Sequence, residues 1–140
     1  MYRHIDTLTQ GQKSQLHRCV EFPPFYVELY DYKFDPIINT YKYYIEMGMK
    51  VSETSILINQ FEKRYSEVYD FWQSIMKKPD VYEILKMETF PSKIWFDRNN
   101  EAKINDRFNK MKKCLSSLCN VPGITAMDEF SEFLSRDGDS

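Results

Sequence analysis

A basic pair and an aromatic residue stand side by side where the sequence changes from a strand pattern to a helix pattern. Lys63 and Arg64 precede Tyr65 in the stretch QFEKRYSEVYDFWQSIM, residues 60–76. A planar guanidinium can donate two parallel hydrogen bonds to an oxyanion, and an aromatic ring can cover an apolar ligand surface. Both residues also have ordinary structural uses. The arginine can be a surface charge or pair with Glu67, and the tyrosine can be a core aromatic.

The sequence contains no recognisable catalytic motif. It has no nucleophile elbow, no phosphate-cradling glycine loop and no His, Asp and Ser set, and it holds only four glycines. His4 and His17 lie near the N-terminus, and no spacing of carboxylates or cysteines completes a metal site. We therefore expect no catalytic activity, no metal and no cofactor. Three cysteines are interpreted as reduced thiols of a cytosolic protein: Cys19, Cys114 and Cys119.

The composition of the 140-residue chain predicts one globular domain, because 42% of its residues are hydrophobic and 16% aromatic. No apolar run approaches the roughly 18–20 residues of a membrane span, and the N-terminus lacks the apolar core of a signal peptide, so we expect a soluble protein. A net charge of −2 argues against a nucleic-acid partner. The charge is uneven, however. Residues 63–113 hold 12 Lys or Arg against 8 Asp or Glu, whereas the rest of the chain holds 7 against 13.

Three stretches with strand patterns precede the basic pair. Residues 25–35, FYVELYDYKFD, are rich in aromatics, and residues 41–51, YKYYIEMGMKV, alternate between apolar and polar positions. A turn sequence, DPIINT, separates these two, and SILINQFEK supplies the third strand. The pattern predicts a three-stranded antiparallel meander. On the middle strand, the side chains expected to face solvent are Lys42, Glu46 and Lys50.

After the basic pair the apolar residues recur with a helical period. A stripe at spacing i, i+3, i+4, i+7, i+8 consists of Val68, Phe71, Trp72, Ile75 and Met76. Ser66 is a plausible N-cap of this helix, and Pro79 limits its far end. A longer helix is predicted from about Glu101 to Asn120, and a short one follows in MDEFSEFLSR. The fold class is therefore α+β, with the meander followed by a helical subdomain of three to four helices.

Two further interpretations concern the ends of the chain and a lysine cluster. Residues 1–24 have little periodicity and are interpreted as an N-terminal leader or linker rather than core, and residues 136–140 as a tail. The domain itself is expected to span residues 25–135. The cluster Lys110, Lys112 and Lys113 is interpreted as a solvated helix face.

The order of these motifs resembles the phox-homology (PX) domain of sorting nexins and oxidase subunits. KRYSEVYDFW follows the third strand, FPSK comes about 26 residues later, NDRFNKMKKCLSSLCNVPG forms the long helix, and FSEFL lies near the end. The resemblance covers roughly residues 25–135. It implies a PX-like fold and a phosphoinositide-binding, membrane-targeting module, typically for phosphatidylinositol 3-phosphate on endosomal membranes.

The resemblance also implies roles for four residues. Arg64 corresponds to the arginine that holds the 3-phosphate, and Tyr65 to the tyrosine that packs its ring against the inositol. Lys93 corresponds to the lysine that meets the 1-phosphate, and Arg107 to the arginine that bonds the 4- and 5-hydroxyls. These assignments have alternatives: Arg107 can instead pair with an acid of its own helix, and Arg98 or Lys103 can replace Lys93.

The sequence departs from the family pattern in three places. The usual PxxP stretch is missing, Val68 stands where an aromatic is common, and Ser66 stands where some members carry another arginine. A partner role for a PxxP stretch is therefore not expected, and Lys93 is expected to carry more of the contact to the 1-phosphate.

The segment PDVYEILKMETF corresponds to a loop that can dip into the bilayer in this family. Its apolar residues are Val81, Tyr82, Ile84, Leu85 and Met87, with lysines nearby at 77, 78 and 86. We thus expect a cytoplasmic protein that is peripheral on the cytosolic face of endosomal or vacuolar membranes, with protein partners possible through other domains. The alternative function is a protein–protein interaction module on a PX fold with a vestigial lipid site.

Overall fold

The computed structural model describes residues 1–92 and 99–135. In chain order, its strands and α-helices are β1 Tyr2–His4, α1 Gln10–Arg18, β2 Phe25–Asp35, β3 Thr40–Lys50, β4 Ser55–Arg64, α2 Tyr65–Met76, α3 Pro79–Leu85, α4 Glu101–Ser116 and α5 Asp128–Leu134. An antiparallel sheet followed by several helices confirms the predicted α+β class. Within the described residues, no helix has the length and apolar character needed to cross a membrane.

The sheet contains the predicted meander and one further strand. Its order is β1-β4-β3-β2, with every neighbouring pair antiparallel. Ile45 in the middle of β3 is opposite Leu29 of β2 and Phe61 of β4, so apolar positions of all three strands share one face. β1 pairs with β4, where Tyr2 is opposite Leu57, and so covers part of an edge that the meander alone leaves open.

The main core lies between this apolar face and the helices α2, α4 and α5. Within it, the rings of Phe71 and Phe133 stack with centroids 4.1 Å apart, and Phe25 packs on Phe130 at 5.7 Å. The helical stripe predicted for α2 is buried except for Met76, which is partly buried. The stripe therefore fixes α2 on the sheet directly after the Arg64–Tyr65 junction.

The start of α2 differs from the prediction. The helix begins at Tyr65 and its N-cap is Arg64, not Ser66. The Arg64 backbone N–H donates to Glu67 Oε1 at 2.9 Å. A glutamate three residues into a helix satisfies an N–H that has no partner within the helix, so the glutamate sets this boundary instead of the serine hydroxyl.

The N-terminal segment packs on the opposite face of the sheet, although the sequence predicted little contribution from it. Leu8 and Leu16 form a second buried cluster with Tyr26, Ile56 and Ile58. The short segment carries too few apolar residues for its periodicity to reveal this packing. The domain boundary predicted at residue 25 remains a prediction, but the residues before it are part of the folded structure.

The docking of α1 also buries Glu46, which the alternation predicted to face solvent. Glu46 is 5% exposed and accepts hydrogen bonds from Tyr26 Oη at 2.6 Å, Gln12 Nε2 at 3.1 Å and Gln60 Nε2 at 2.7 Å. A buried carboxylate needs such donors. The prediction was wrong because strand periodicity distinguishes the two faces of a sheet but does not show that a helix covers the second face.

Gly48 makes room for the tyrosine of this cluster. A Cβ at Gly48 would lie 2.2 Å from Tyr26 Cε2, which is a steric clash. The glycine in the middle of β3 is therefore explained by the close approach of the Tyr26 ring.

The segment predicted to be a membrane-inserting loop contains a helix. α3 begins with Pro79 at its first position, as Pro favours, and buries Val81 and Leu85, each 1% exposed. These two residues belong to the core, so the prediction that they insert into a bilayer was wrong. Tyr82 and Ile84 of the same helix are exposed, as is Met87 just after it.

Both predicted C-terminal helices are present in the structure. α4 ends at Ser116 and continues as a 3-10 turn over Ser117–Asn120, so the predicted long helix is present with a tighter last turn. α5 buries Phe130 and Phe133 in the core. Packing of α4 on the sheet is what brings Arg107 towards the start of α2.

Candidate functional site

Arg64 lies at the end of β4 with its side chain largely in solvent. The side chain is 56% exposed, and its Nε donates to Glu67 Oε1 at 3.4 Å. Across the ladder it is opposite Lys42, whose Nζ lies 3.1 Å from Asp35 Oδ2 and from Glu62 Oε1. The guanidinium is therefore accessible and contacts one partly buried carboxylate at a long distance, the kind of pair that contributes little free energy.

Tyr65 and Arg107 form a stack between the start of α2 and the second turn of α4. The guanidinium carbon of Arg107 lies 3.5 Å from the centroid of the Tyr65 ring, and 6.0 Å from that of Tyr43. An arginine over a ring face is attracted by the ring electrons and loses freedom of orientation. The structure thus brings together two of the residues predicted to bind the headgroup, and it uses one of them to orient the other.

The Tyr65 ring itself is buried. Only 7% of the residue is exposed, and its hydroxyl donates to the carbonyl oxygen of Pro91 at 2.5 Å. The resemblance implied that this ring packs against a ligand, whereas in the structure it supports Arg107. Arg64 and Tyr65 are consecutive, but they present their side chains differently, one in solvent and one in the core.

Burial shifts the pKa values of Arg107, Tyr65 and Tyr43, but Arg107 keeps its positive charge. Burial lowers the pKa of the Arg107 guanidinium, an effect that the two neighbouring phenols oppose. Burial raises the pKa of Tyr65 to about 12 and that of Tyr43 to about 12, and the positive charge of Arg107 opposes both shifts. At neutral pH the site therefore holds a cationic guanidinium against neutral phenols.

Tyr43 is a site residue that the sequence reasoning did not select. Its hydroxyl is buried and has no hydrogen-bond partner among residues 1–92 and 99–135. Tyr43 was expected only as one of the apolar positions of β3. The signal that could have found it is the antiparallel register, which places it opposite Lys63, next to the Arg64–Tyr65 pair.

Aromatic packing anchors the chain segment that leads towards Lys93. Phe90 stacks on Trp72 with centroids 5.6 Å apart and packs against Tyr65 at 5.9 Å. With the Tyr65 hydroxyl bound to Pro91, this fixes the backbone at the FP part of the FPSK motif. Lys93 itself lies outside the described residues, so its predicted contact remains a prediction.

Lys63, the other half of the basic pair, lies away from Arg64. Alternation along β4 places it on the core face, where it is 6% exposed. Its Nζ donates to the Ser135 carbonyl oxygen at 3.1 Å and lies within 6 Å of the Phe61 and Phe133 rings. Lys63 therefore ties β4 to Ser135, just after α5, and most of its side chain is buried.

The remaining candidate surface consists of Tyr82, Ile84 and Met87, exposed by 49%, 40% and 85%. Two lysines beside it form ion pairs, Lys86 with Glu83 at 2.8 Å and Lys78 with Glu129 at 3.2 Å. An apolar tip flanked by lysines is typical of surfaces that contact the interface of a bilayer. Among the described residues, no group of three His, Cys, Asp or Glu side chains could hold a metal ion.

Comparison with known proteins identifies the fold and the family. A family model for the PX domain matches residues 57–137. Among solved structures, the mouse SNX19 PX domain with bound sulphate ion matches with a TM-score of 0.58 and 17% identity, over 77% of this chain and 92% of that one. The same mouse domain in a second structure matches with a TM-score of 0.58 and 18% identity, over 77% and 92% of the two chains.

A designed CISK-PX domain matches with a TM-score of 0.58 and 15% identity, over 78% of this chain and 97% of that one. No match was found among curated proteins. Because the family model covers more than half of the sequence, the chain belongs to the PX-domain family, whose members are in general phosphoinositide-binding, membrane-targeting modules.

Proposed function

We propose that this domain binds the headgroup of phosphatidylinositol 3-phosphate and thereby attaches to the cytosolic face of endosomal or vacuolar membranes. The observation that carries the proposal is the Arg107 guanidinium held 3.5 Å over the ring of Tyr65, the residue adjacent to the accessible Arg64. Two guanidinium groups, one exposed and one oriented, suit a ligand that has a phosphate and hydroxyl groups on one ring.

Arg64 is proposed to bind the 3-phosphate. A phosphomonoester carries up to two charges and three acceptor oxygens, so it can form two parallel hydrogen bonds with one guanidinium. The present partner, Glu67, is a single carboxylate contacted at 3.4 Å. The phosphate is the better acceptor, and the Glu67 oxygen stays engaged by the Arg64 backbone N–H when the side chain turns to the ligand.

Arg107 is proposed to bond the unphosphorylated 4- and 5-hydroxyls. The stack on Tyr65 fixes the plane of the guanidinium, so its donors point in set directions before a ligand arrives. A headgroup with a bulky phosphate at either hydroxyl does not fit the same position, so selectivity comes from exclusion. Tyr65 acts here as a positioning residue, since its face carries the guanidinium.

Lys93 is proposed to meet the 1-phosphate, which links the headgroup to the lipid chains. The support is its place two residues after Pro91, whose carbonyl is held by the Tyr65 hydroxyl. A segment fixed at this point starts beside the Tyr65–Arg107 stack.

A second contact with the membrane is proposed for the tip of α3. Tyr82, Ile84 and Met87 offer apolar surface, and a lysine that is not paired with a carboxylate contributes about 1 kcal/mol of attraction to an anionic bilayer. One headgroup with a few charge-assisted contacts gives modest affinity. Insertion of this tip together with headgroup binding strengthens attachment, as two linked contacts do.

The experiment is a titration of the protein against vesicles that each carry one phosphoinositide. Wild type is expected to prefer phosphatidylinositol 3-phosphate, and Arg64→Ala to lose about tenfold or more of that affinity. Arg64→Lys keeps the charge but loses the paired donors, so it should recover only part of the binding. Lys13→Ala on α1 is the control for loss of one positive charge.

Two outcomes separate the proposal from the alternative. If wild type and Arg64→Ala bind every vesicle equally, the specific site does not exist and a protein-interaction module with a vestigial lipid site is favoured. If Lys13→Ala weakens binding as much as Arg64→Ala, the attraction is general electrostatics rather than headgroup recognition.

A further inference from the structure

A second basic groove lies between α1 and α4, where the two helices flank the edge strand β2. It has a volume of about 580 Å³. Ser14 and Arg18 of α1 line one wall, and Asn109, Lys112 and Lys113 of α4 line the other. We call it the α1–α4 groove. On each helix these residues recur at three- and four-residue intervals, so each wall is one face of a helix.

The cations of this groove differ from others on the same helix. Lys110 is paired with Asp106, with Nζ and Oδ2 2.9 Å apart. Within residues 1–92 and 99–135, by contrast, no carboxylate forms an ion pair with Arg18, Lys112 or Lys113. Three like charges directed into one depression repel each other, and an anion between them relieves that repulsion.

Glu28, the one carboxylate among the described residues that line the groove, is engaged by an amide. Glu28 Oε1 accepts from Gln12 Nε2 at 3.0 Å, so α1 itself supplies its partner. Nearby, Gln15 Oε1 accepts from the Val27 backbone N–H at 3.0 Å and so fixes the distance between α1 and the sheet edge. The two glutamines hold α1 at the sheet edge, and among the described residues that line the groove one carboxylate faces three cations.

The N-terminal segment creates this groove. The family model matches residues 57–137, and α1 lies well before that range. Without α1, Lys112 and Lys113 belong to a solvated helix face, as the sequence predicted. With α1 docked, they face Arg18 and the Ser14 hydroxyl across the groove.

We propose that the α1–α4 groove is a second ligand site, which binds a phosphomonoester. Arg18 offers paired donors for two phosphate oxygens, and the two lysines offer point charges for the third. The Ser14 hydroxyl and the Asn109 side-chain amide supply neutral donors, and the chain gives neither of them another hydrogen-bond partner among its described residues. A doubly charged phosphate group matches the excess of two positive charges, since three cations and one carboxylate line the groove.

The ligand can come from two sources with the same chemistry: a soluble phosphomonoester or a lipid that carries one. The experiment uses glycerol 3-phosphate in solution and phosphatidylcholine vesicles carrying ceramide 1-phosphate. Both are tested in the Arg64→Ala background, so that headgroup binding at the first site does not contribute. Binding of the soluble probe is followed by NMR shifts of the backbone amides of Ser14, Arg18 and Asn109, and of the Asn109 side-chain amide.

A matched pair of variants decides the result. Lys113→Gln should weaken binding by about tenfold, whereas Lys110→Gln, with the same change on the same helix, should leave it within about twofold. Saturable shifts with glycerol 3-phosphate would support a site for a soluble phosphomonoester. Binding to the ceramide 1-phosphate vesicles that is lost in Lys113→Gln would support a site for a lipid. Absence of both, or equal weakening by the two lysine variants with unchanged melting temperatures, overturns the proposal.

Discussion

Removal of one hydroxyl, in Tyr65→Phe, tests whether the site is held together as the structure indicates. The Tyr65 hydroxyl donates to the Pro91 carbonyl oxygen at 2.5 Å, and both groups are buried. The hydrogen bond itself contributes about 1 kcal/mol, and a buried carbonyl left without a donor costs about 1–3 kcal/mol. We therefore expect the free energy of unfolding to fall by about 1–3 kcal/mol.

Two measurements check this prediction. The melting temperature should fall by about 2–4 °C for each kcal/mol in a domain of this size. Hydrogen exchange should speed up at the amides of Phe90 and Ser92, on either side of the released proline, more than in the sheet. The ring of phenylalanine keeps the stack with Arg107, so the effect belongs to the hydroxyl alone.

Tyr30→Phe provides the control, because that residue is 41% exposed. It loses a hydroxyl of the same kind at the surface and should leave the melting temperature within about 1 °C. If Tyr65→Phe behaves like this control in both measurements, the bond to Pro91 does not hold the segment, and the proposed contact of Lys93 with the headgroup loses its support.

Three further predictions follow from the core and the surface. Gly48→Ala places a Cβ against the Tyr26 ring, and we expect it to destabilise the protein by about 1–3 kcal/mol or more and to raise hydrogen exchange throughout α1. Gly11→Ala should do neither, because its Cβ would lie 3.9 Å from Thr9 Oγ1, an ordinary van der Waals contact. Ile84→Asp should weaken vesicle binding severalfold without changing the melting temperature. Ile37→Asp, the same change at a residue that is 92% exposed, should leave vesicle binding unchanged. Equal binding by both variants would contradict the insertion proposal. Stability should be constant near neutral pH and lost as pH rises from about 9 through 12, because burial makes ionisation harder in the folded state for three groups; a denaturation midpoint that does not move over that range would contradict the assignment. The three groups are Tyr43, Tyr65 and Cys114, and burial raises the pKa of each to about 12.

The alkaline prediction follows from the sign of the shifts. Each group has a folded-state pKa above its ordinary value of 9 or 10, so the folded state favours the protonated form. That contribution is complete below the ordinary value. It is lost as pH rises towards the folded-state value, because the unfolded chain then releases its protons first. Denaturant midpoints measured from pH 7 to 12 give this dependence directly.

The meander and the α2 stripe were predictable from sequence because alternation in the strands and the helical period in the stripe each mark the residues that pack into the main core. Alternation gave β3 its core positions, and the change to a helical period placed α2 directly after Arg64. The packing of α1 was not predictable in the same way. Leu16 is the buried apolar residue of this helix and Leu8 lies just before it, while Gln12 and Gln15 are buried through hydrogen bonds, a pairing that periodicity does not encode.

The candidate site could be predicted in part. Motif order located Arg64, Tyr65 and Arg107, but not that the last two stack on each other, which depends on how α4 crosses the sheet. The error at Val81 and Leu85 has a similar cause. An apolar segment between two breakers fits an exposed loop or a short core helix equally well, and only the packing of α3 beside α2 decides between them.

Affinity for the soluble headgroup tests the central claim most directly, because it removes the membrane from the measurement. Short-chain phosphatidylinositol 3-phosphate is titrated against wild type, Arg64→Ala, Arg107→Ala and Lys13→Ala, with binding followed by calorimetry. For the headgroup site we predict a loss of affinity of about tenfold or more in each of the two arginine variants, and wild-type affinity in Lys13→Ala. Equal affinity in wild type and both arginine variants would contradict the assignment of this site.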